Sequence, residues 1–166
     1  PGVQTQQAYR GRLAELLAGS KDSPFICWGY HELFHGPLDR ALLDQMAPDR
    51  PVIIWQRSFH DIIVNTAMMT AWGFETPAQL DAAIAAARVD PGHADFARGL
   101  FSETATPVAL GKMQSVLLSP EKIQRGMAAL KAMMLTSGVT TISDMGTGIF
   151  ASFELEAGLI KAAFDQ

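Results

Sequence analysis

Residues 50–60 run Arg-Pro-Val-Ile-Ile-Trp-Gln-Arg-Ser-Phe-His. After the Pro48-Asp49-Arg50-Pro51 turn, Val52, Ile53, Ile54 and Trp55 are apolar without alternation. A strand with one wet face alternates; a run apolar on both sides suits a strand covered on both faces, as in a parallel sheet. Working outward, Phe25 to Tyr30 is a second apolar run of strand length. Thr5 to Gly19 reads as a helix with Tyr9, Leu13, Leu16 and Leu17 on one stripe and Gly19 as its stop. Pro37 opens a helix over Leu38 to Met46. His60 to Trp72 is expected to be helical, ending at Gly73.

Further along, Thr76-Pro77-Ala78-Gln79 supplies a cap, a first-turn proline and a capping-box glutamine, so a helix runs to about Arg88. Asp90-Pro91-Gly92 breaks the chain, and 94–106 is ambiguous. Ser119-Pro120-Glu121 starts the clearest helix, with Ile123, Met127, Leu130 and Met134 as its stripe and Gly138 at its end. Val139 to Ser143 is β-branched and reads as a strand, and Phe153 to Phe164 as a last helix. Helices alternate with short buried strands, so the class is α/β.

The 166 residues suit one domain with a real core, and 48% hydrophobic with 18% charged residues is ordinary for a globular chain. No apolar run reaches the roughly 18 residues that span a bilayer, so no membrane partner is expected. Net charge is −4 and the basic residues are scattered, which argues against nucleic acid. The single Cys27 excludes an internal disulfide; it reads as a buried, inert thiol in a reducing cytoplasm. Pro1-Gly2-Val3-Gln4 has neither a basic nor an apolar leader region, and no initiator Met. The chain stops at Asp165-Gln166 without a closing strand, so the expectation is a piece of a longer protein.

Two short motifs carry chemistry on paper. His31-Glu32-Leu33-Phe34-His35 matches H-E-x-x-H, in which two histidines one turn apart bind zinc and the glutamate is a general base. Gly36-Pro37 would break that helix at once, and Ala41 stands where a third histidine belongs, so a polar loop is the preferred reading over a zinc protease. Gly146-Thr147-Gly148-Ile149-Phe150-Ala151 matches G-x-G-x-x-A. The polar Ser143-Asp144-Met145 precedes it where an apolar strand should run, which favours a plain turn over a dinucleotide site.

Several segments together resemble the amidohydrolase superfamily, in particular the amidohydrolase family 3 branch typified by N-substituted formamide deformylases. Residues 50–68 resemble that family's "RPV…GH…VNS.AL" segment, with His60 and Asn65 on matching positions. Arg98-Gly99-Leu100-Phe101-Ser102-Glu103 is similar to "TGVL.E", Gly138 to Asp144 to "GVTTV.D", and Phe25 to Tyr30 to the "GWG[WY]" strand; Leu118-Ser119-Pro120-Glu121 leads the long helix. The resemblance covers nearly the whole chain. It implies a partial, incomplete (β/α)8 TIM-barrel-type metal-dependent hydrolase, with 1–118 an inserted substrate-pocket region and 119–166 an early barrel helix-strand-helix. In that family one or two divalent ions, zinc being the expected metal, activate water for attack on an amide-type C–N bond.

The family's H-x-H ligand pair is missing here, and its later ligands would lie beyond Gln166. The chain is therefore expected to hold no metal and to be inactive by itself. Barrel sites lie at the C-terminal ends of strands, here Tyr30/His31, Ser58 to His60 and Asp144/Met145. The candidate substrate-binding residues are His60, as donor to a substrate carbonyl, Trp28, His31, Asn65 and Glu103, with Asp144 supporting the metal site from behind. Asn65 also has a structural reading, fixing a backbone turn. The partner expected is a small amide-type substrate, with self-association into a homo-oligomer. The rival readings are a non-catalytic small-molecule-binding or oligomerisation module and, less favoured, a zincin-type protease.

Overall fold

The computed structural model describes Val3, residues 5–149 and residues 152–165. Its first compact unit ends at Ala109 and its second begins at Leu110.

Helix α1 (Gln6–Gly19) starts at Thr5, whose hydroxyl accepts from the Ala8 N–H, and buries Tyr9, Leu13 and Leu17 along one stripe. Strand β1 (Phe25–Tyr30) follows, then the single turn α2 (Glu32–His35) and α3 (Arg40–Met46). Pro37 was expected to open this helix; Asp39 caps it instead, accepting from the Leu42 N–H at 2.9 Å. Strand β2 (Val52–Gln56) runs parallel to β1, with Phe25 opposite Val52 and Trp28 opposite Trp55.

Residues 60–72 are a correction. They form strand β3 (Asp61–Val64) and a short helix α4 (Thr66–Ala71). Ile62, Ile63 and Val64 pair antiparallel with β2, opposite Trp55, Ile54 and Ile53. The expected helix gives way because a buried strand and a buried helix segment share the same apolar continuity over so few residues. Helix α5 (Pro77–Ala87) has the capping box its sequence announces, closed by Arg88 in the left-handed conformation. Strands β4 (Ala94–Asp95) and β5 (Leu100–Ser102) complete a five-stranded mixed sheet in the order β1-β2-β3-β5-β4.

Alternation along the strands sorts the core. Val52, Ile54 and Ile63 join Tyr9, Leu13, Leu17, Leu38 and Leu43 in one buried cluster. The opposite face presents Ile53, Trp55, Ile62, Val64 and Phe101, all buried, and Trp72 meets Phe101 edge-on at 5.6 Å. Gly99 sits at φ +64°, and a Cβ there would lie 2.2 Å from the Val64 carbonyl oxygen. Only glycine lets β5 approach β3 this closely.

The boundary between the units falls inside α6 (Thr106–Leu117). The second unit holds α7 (Pro120–Thr136) and α8 (Phe153–Phe164). Ile123, Met127, Leu130 and Met134 form the half-buried stripe of α7, and a groove of about 500 Å³ between the two helices is lined by Ile123, Met127, Leu155 and Leu159. Residues 139–143 are a second correction. They form no strand; Val139 and Ile142 are exposed, and no described strand pairs with them. A β-branched run has no ladder to join without a neighbouring strand. Mixed α/β architecture holds, and no helix among the described residues is long and apolar enough to cross a membrane.

Candidate functional site

Parallel pairing brings the C-terminal ends of β1 and β2, at Tyr30 and Gln56, to one end of the sheet. Antiparallel pairing then brings the start of β3 and the finish of β5 to the same end, with Asp61 opposite Ser102. Trp28, residues 56–61 and Glu103 therefore share that end although they are far apart in sequence.

The β2–β3 connection is tightly tied. The Phe59 N–H donates to the Gln56 carbonyl at 3.0 Å, and the Trp55 indole N–H donates to the Phe59 carbonyl at 3.3 Å. Ser58 hydrogen-bonds the Gln56 side chain, whose amide donates to Asp61 Oδ2 at 2.6 Å. The His60 carbonyl accepts from the Glu103 N–H at 2.9 Å and from the Thr106 hydroxyl at 2.6 Å. These bonds set the His60 ring beside the Glu103 carboxylate, Nδ1 to Oε2 at 2.9 Å, with both side chains more than half exposed. The hydrogen bond to Glu103, and then that group's negative charge, hold the imidazole pKa above its ordinary value. Burial, and then the Glu103 charge, push the Asp61 carboxyl upward.

Aromatic rings stand next to this pair. Trp28 and Phe59 stack at 5.5 Å with half of each exposed, and Trp55 meets Phe59 edge-on at 5.0 Å. Such an arrangement offers an apolar face beside a charged hydrogen-bonding group. Sequence reasoning touched Phe59 only as part of the Ser58 to His60 strand end, with no role of its own, and left Asp61 unmarked; each lies one position from His60, and only the hairpin shows that both face this end.

Asn65 is elsewhere and otherwise engaged. It is fully buried. Its Oδ1 accepts from the N–H groups of Val52 and Met68 at 2.9 and 3.0 Å. Its Nδ2 donates to the carbonyls of Ala47 and Arg50 at 2.8 and 2.7 Å. No polar atom is left for a substrate, so the structural role stands in place of the binding role.

The H-E-x-x-H histidines also serve the fold. His31 caps α2, its Nδ1 accepting from the Leu33 N–H at 3.2 Å. His35 is buried, stacks on Tyr9 at 4.3 Å, and its Nδ1 accepts from the His31 N–H at 3.0 Å. The two rings do not converge on a common point as zinc ligands on a helix face would. Among the described residues no three His, Cys, Asp or Glu side chains gather as a metal site.

Asp144 is not at a strand end. Its carboxylate closes a local turn, accepting from the Gly146 N–H at 2.9 Å and the Thr147 hydroxyl at 2.8 Å, and the first of these bonds lowers its pKa. Phe150 and Ala151 of the G-x-G-x-x-A string lie outside the described residues. Cys27 is half-buried rather than buried, and desolvation pushes its thiol pKa up.

The fold is similar to the crystal structure of an uncharacterized metal-dependent hydrolase from Pyrococcus horikoshii OT3. The TM-score is 0.59 at 20% identity, over 88% of this chain and 26% of that one. The chain thus spans about a quarter of that protein's length. No curated protein matches the sequence. The sequence pattern of the amidohydrolase family matches residues 33–163, which is most of the chain, and the protein belongs to that family.

Proposed function

We propose that this chain is the substrate-pocket portion of a metal-dependent hydrolase that cleaves C–N bonds other than peptide bonds, built on a (β/α)8 barrel. The observation that carries this reading is the family match over residues 33–163, together with the exposed His60–Glu103 pair at the strand ends. The metal ligands, zinc being the expected ion, are assigned to parts of the protein outside this segment, and the segment alone is inactive. Its own residues bind and orient. His60 donates from Nε2 to the substrate's acyl oxygen, and Trp28 and Phe59 carry the apolar group attached to the nitrogen or carbonyl. His31 lines the rim. The compartment proposed is the cytoplasm.

The test is hydrolysis by the protein that contains this segment, loaded with zinc, against N-formyl and N-acyl amines and against short peptides. Amine release from the simple amides, with peptides untouched and residues 1–166 alone inert, is the expected result. Cleavage confined to peptides, or no turnover of any amide with full zinc loading, would overturn it. A non-catalytic binding module would bind the amides and leave them whole.

A further inference from the structure

Among the described residues, the non-glycine positions in the left-handed region are Phe59 at φ 69°, Arg88 at 58° and Glu103 at 43°. Arg88 terminates a helix, an ordinary use of that conformation. Phe59 takes it at the close of the Gln56–Phe59 turn of the β2–β3 hairpin, and Glu103 takes it directly after β5. One precedes His60 and the other is its partner, so two unfavourable backbone conformations meet at one exposed ion pair. Each costs on the order of 1 kcal/mol or more, and such residues persist only where their surroundings dictate them. The surroundings do so here. Trp55 and Trp28 hold Phe59 by its carbonyl and its ring, and the His60 carbonyl holds the Glu103 N–H. An exposed pair adds only a little to stability, so its larger effect here is on the orientation of the ring.

We propose that Glu103 is a positioning residue for His60: it engages Nδ1 and so turns Nε2, which has no partner among the described residues, toward the acyl oxygen of a bound amide. The inference rests on this end of the sheet being the ligand pocket. Glu103 orients the ring as a carboxylate orients a catalytic imidazole, fixing which nitrogen faces the ligand. Protonated His60 presents an Nε2–H donor; deprotonated His60, with its remaining proton on Nδ1, presents a lone pair that cannot hold a carbonyl. Amide binding is therefore strongest at low pH and weakens as pH rises through the raised His60 pKa. The other charge acting on His60 is Asp61 at the start of β3, whose own pKa is raised by Glu32 in α2 and lowered by Arg98 before β5. Asp61 adds to the field that favours the imidazolium.

The experiment is NMR of residues 1–166, following the His60 ring against pH with and without benzamide, in the wild type, Glu103→Gln and Glu103→Asp. The expected result is a His60 titration midpoint that falls in Glu103→Gln and recovers in part in Glu103→Asp. Benzamide should shift the His60 Nε2 and Trp28 resonances, with several-fold weaker binding in Glu103→Gln. A midpoint unchanged by Glu103→Gln, or benzamide that leaves the His60 and Trp28 resonances in place, would overturn the proposal. The hydrolase reading is tested separately. If the coupling and the benzamide shifts appear but the zinc-loaded protein turns over no amide, the pair stands and the amidase assignment falls. If amides are hydrolysed and the midpoints coincide, the reverse holds.

Discussion

Replacing Asn65 with alanine should cost this protein more stability than any single change at the exposed end of the sheet. The side chain is fully buried and makes four hydrogen bonds to the backbone of Ala47, Arg50, Val52 and Met68, all between 2.7 and 3.0 Å. Each buried group stranded without a partner costs about 1–3 kcal/mol. The Met68 bond is also the cap of α4, worth about 1 kcal/mol. These losses overlap and water enters part of the gap, so a total of about 4 kcal/mol is expected, against a typical domain stability of about 5–15 kcal/mol. With a urea slope of about 2 kcal/mol/M, the midpoint should fall by about 2 M. Tryptophan fluorescence is the assay, because Trp55 and Trp72 are buried in the first unit. A midpoint within about 0.3 M of wild type, well under a kcal/mol at that slope, would refute the reasoning. Asn65→Asp sharpens the test. A carboxylate accepts from Val52 and Met68 but has no donor for the two carbonyls, so its folded-state pKa is raised. The native state then binds more protons than the unfolded state, and the variant should lose stability as pH rises from the ordinary aspartate range.

Other outcomes follow from the same geometry. Gly99→Ala should lower stability by about 3 kcal/mol, because the new methyl meets the Val64 carbonyl oxygen at 2.2 Å and the backbone is at φ +64°; thermal melting checks it. Phe101→Ala, at a fully buried ring between β3 and Trp72, should cost about 3–5 kcal/mol in urea unfolding. Arg50→Lys should cost about 1–2 kcal/mol, since a lysine cannot span the Leu17 and Asp22 carbonyls that the guanidinium bridges. The His60–Glu103 pair contributes stability below the ordinary histidine pKa, and that contribution disappears as pH rises through the raised value. The pH dependence of the melting temperature should therefore flatten around neutrality in Glu103→Gln.

Elements whose signals are local were legible in the sequence. Thr76-Pro77-Ala78-Gln79 names its own capping box, and the Tyr9, Leu13, Leu17 stripe names its buried face. Elements that exist only through pairing were not. Asp61 to Val64 became a strand because β2 and β5 flank it, while Val139 to Ser143, the better β former, has no strand beside it among the described residues. Strand propensity is a statement about a partner surface, so it misleads where the partner is unseen. The site divides in the same way. His60 and Glu103 could each be marked in advance, but their contact depends on the register that sets Asp61 opposite Ser102. Phe59, inside the marked Ser58 to His60 span, was given no role because an isolated aromatic after a strand gives no sign of standing exposed in the left-handed conformation.

Residues on the family-like motif are thus not one functional set. Arg50 and Asn65, fifteen positions apart, meet where Asn65 Nδ2 donates to the Arg50 carbonyl. The Arg50 guanidinium reaches back to the Leu17 and Asp22 carbonyls and lies over the Phe25 ring at 5.2 Å. Together they lock the end of α1, the entry to β1, the entry to β2 and the start of α4 at one end of the sheet. His60, on the same motif, lies at the other end, past β2, with its side chain exposed. The same eleven-residue span therefore does two jobs: its beginning fixes the strand, and its finish is carried by that strand to the open edge. Phe59 is held locally by Trp55 and Trp28, and we predict that the anchor at Arg50 and Asn65, by keeping β2 in register, adds to that hold from the far end. Loosening the Asn65 end should then relax Phe59 and spread the His60 ring over several orientations. In a variant mild enough to stay folded, such as Arg50→Lys, the His60 titration midpoint should move toward that of Glu103→Gln. A midpoint identical to wild type would show that the two ends are mechanically independent.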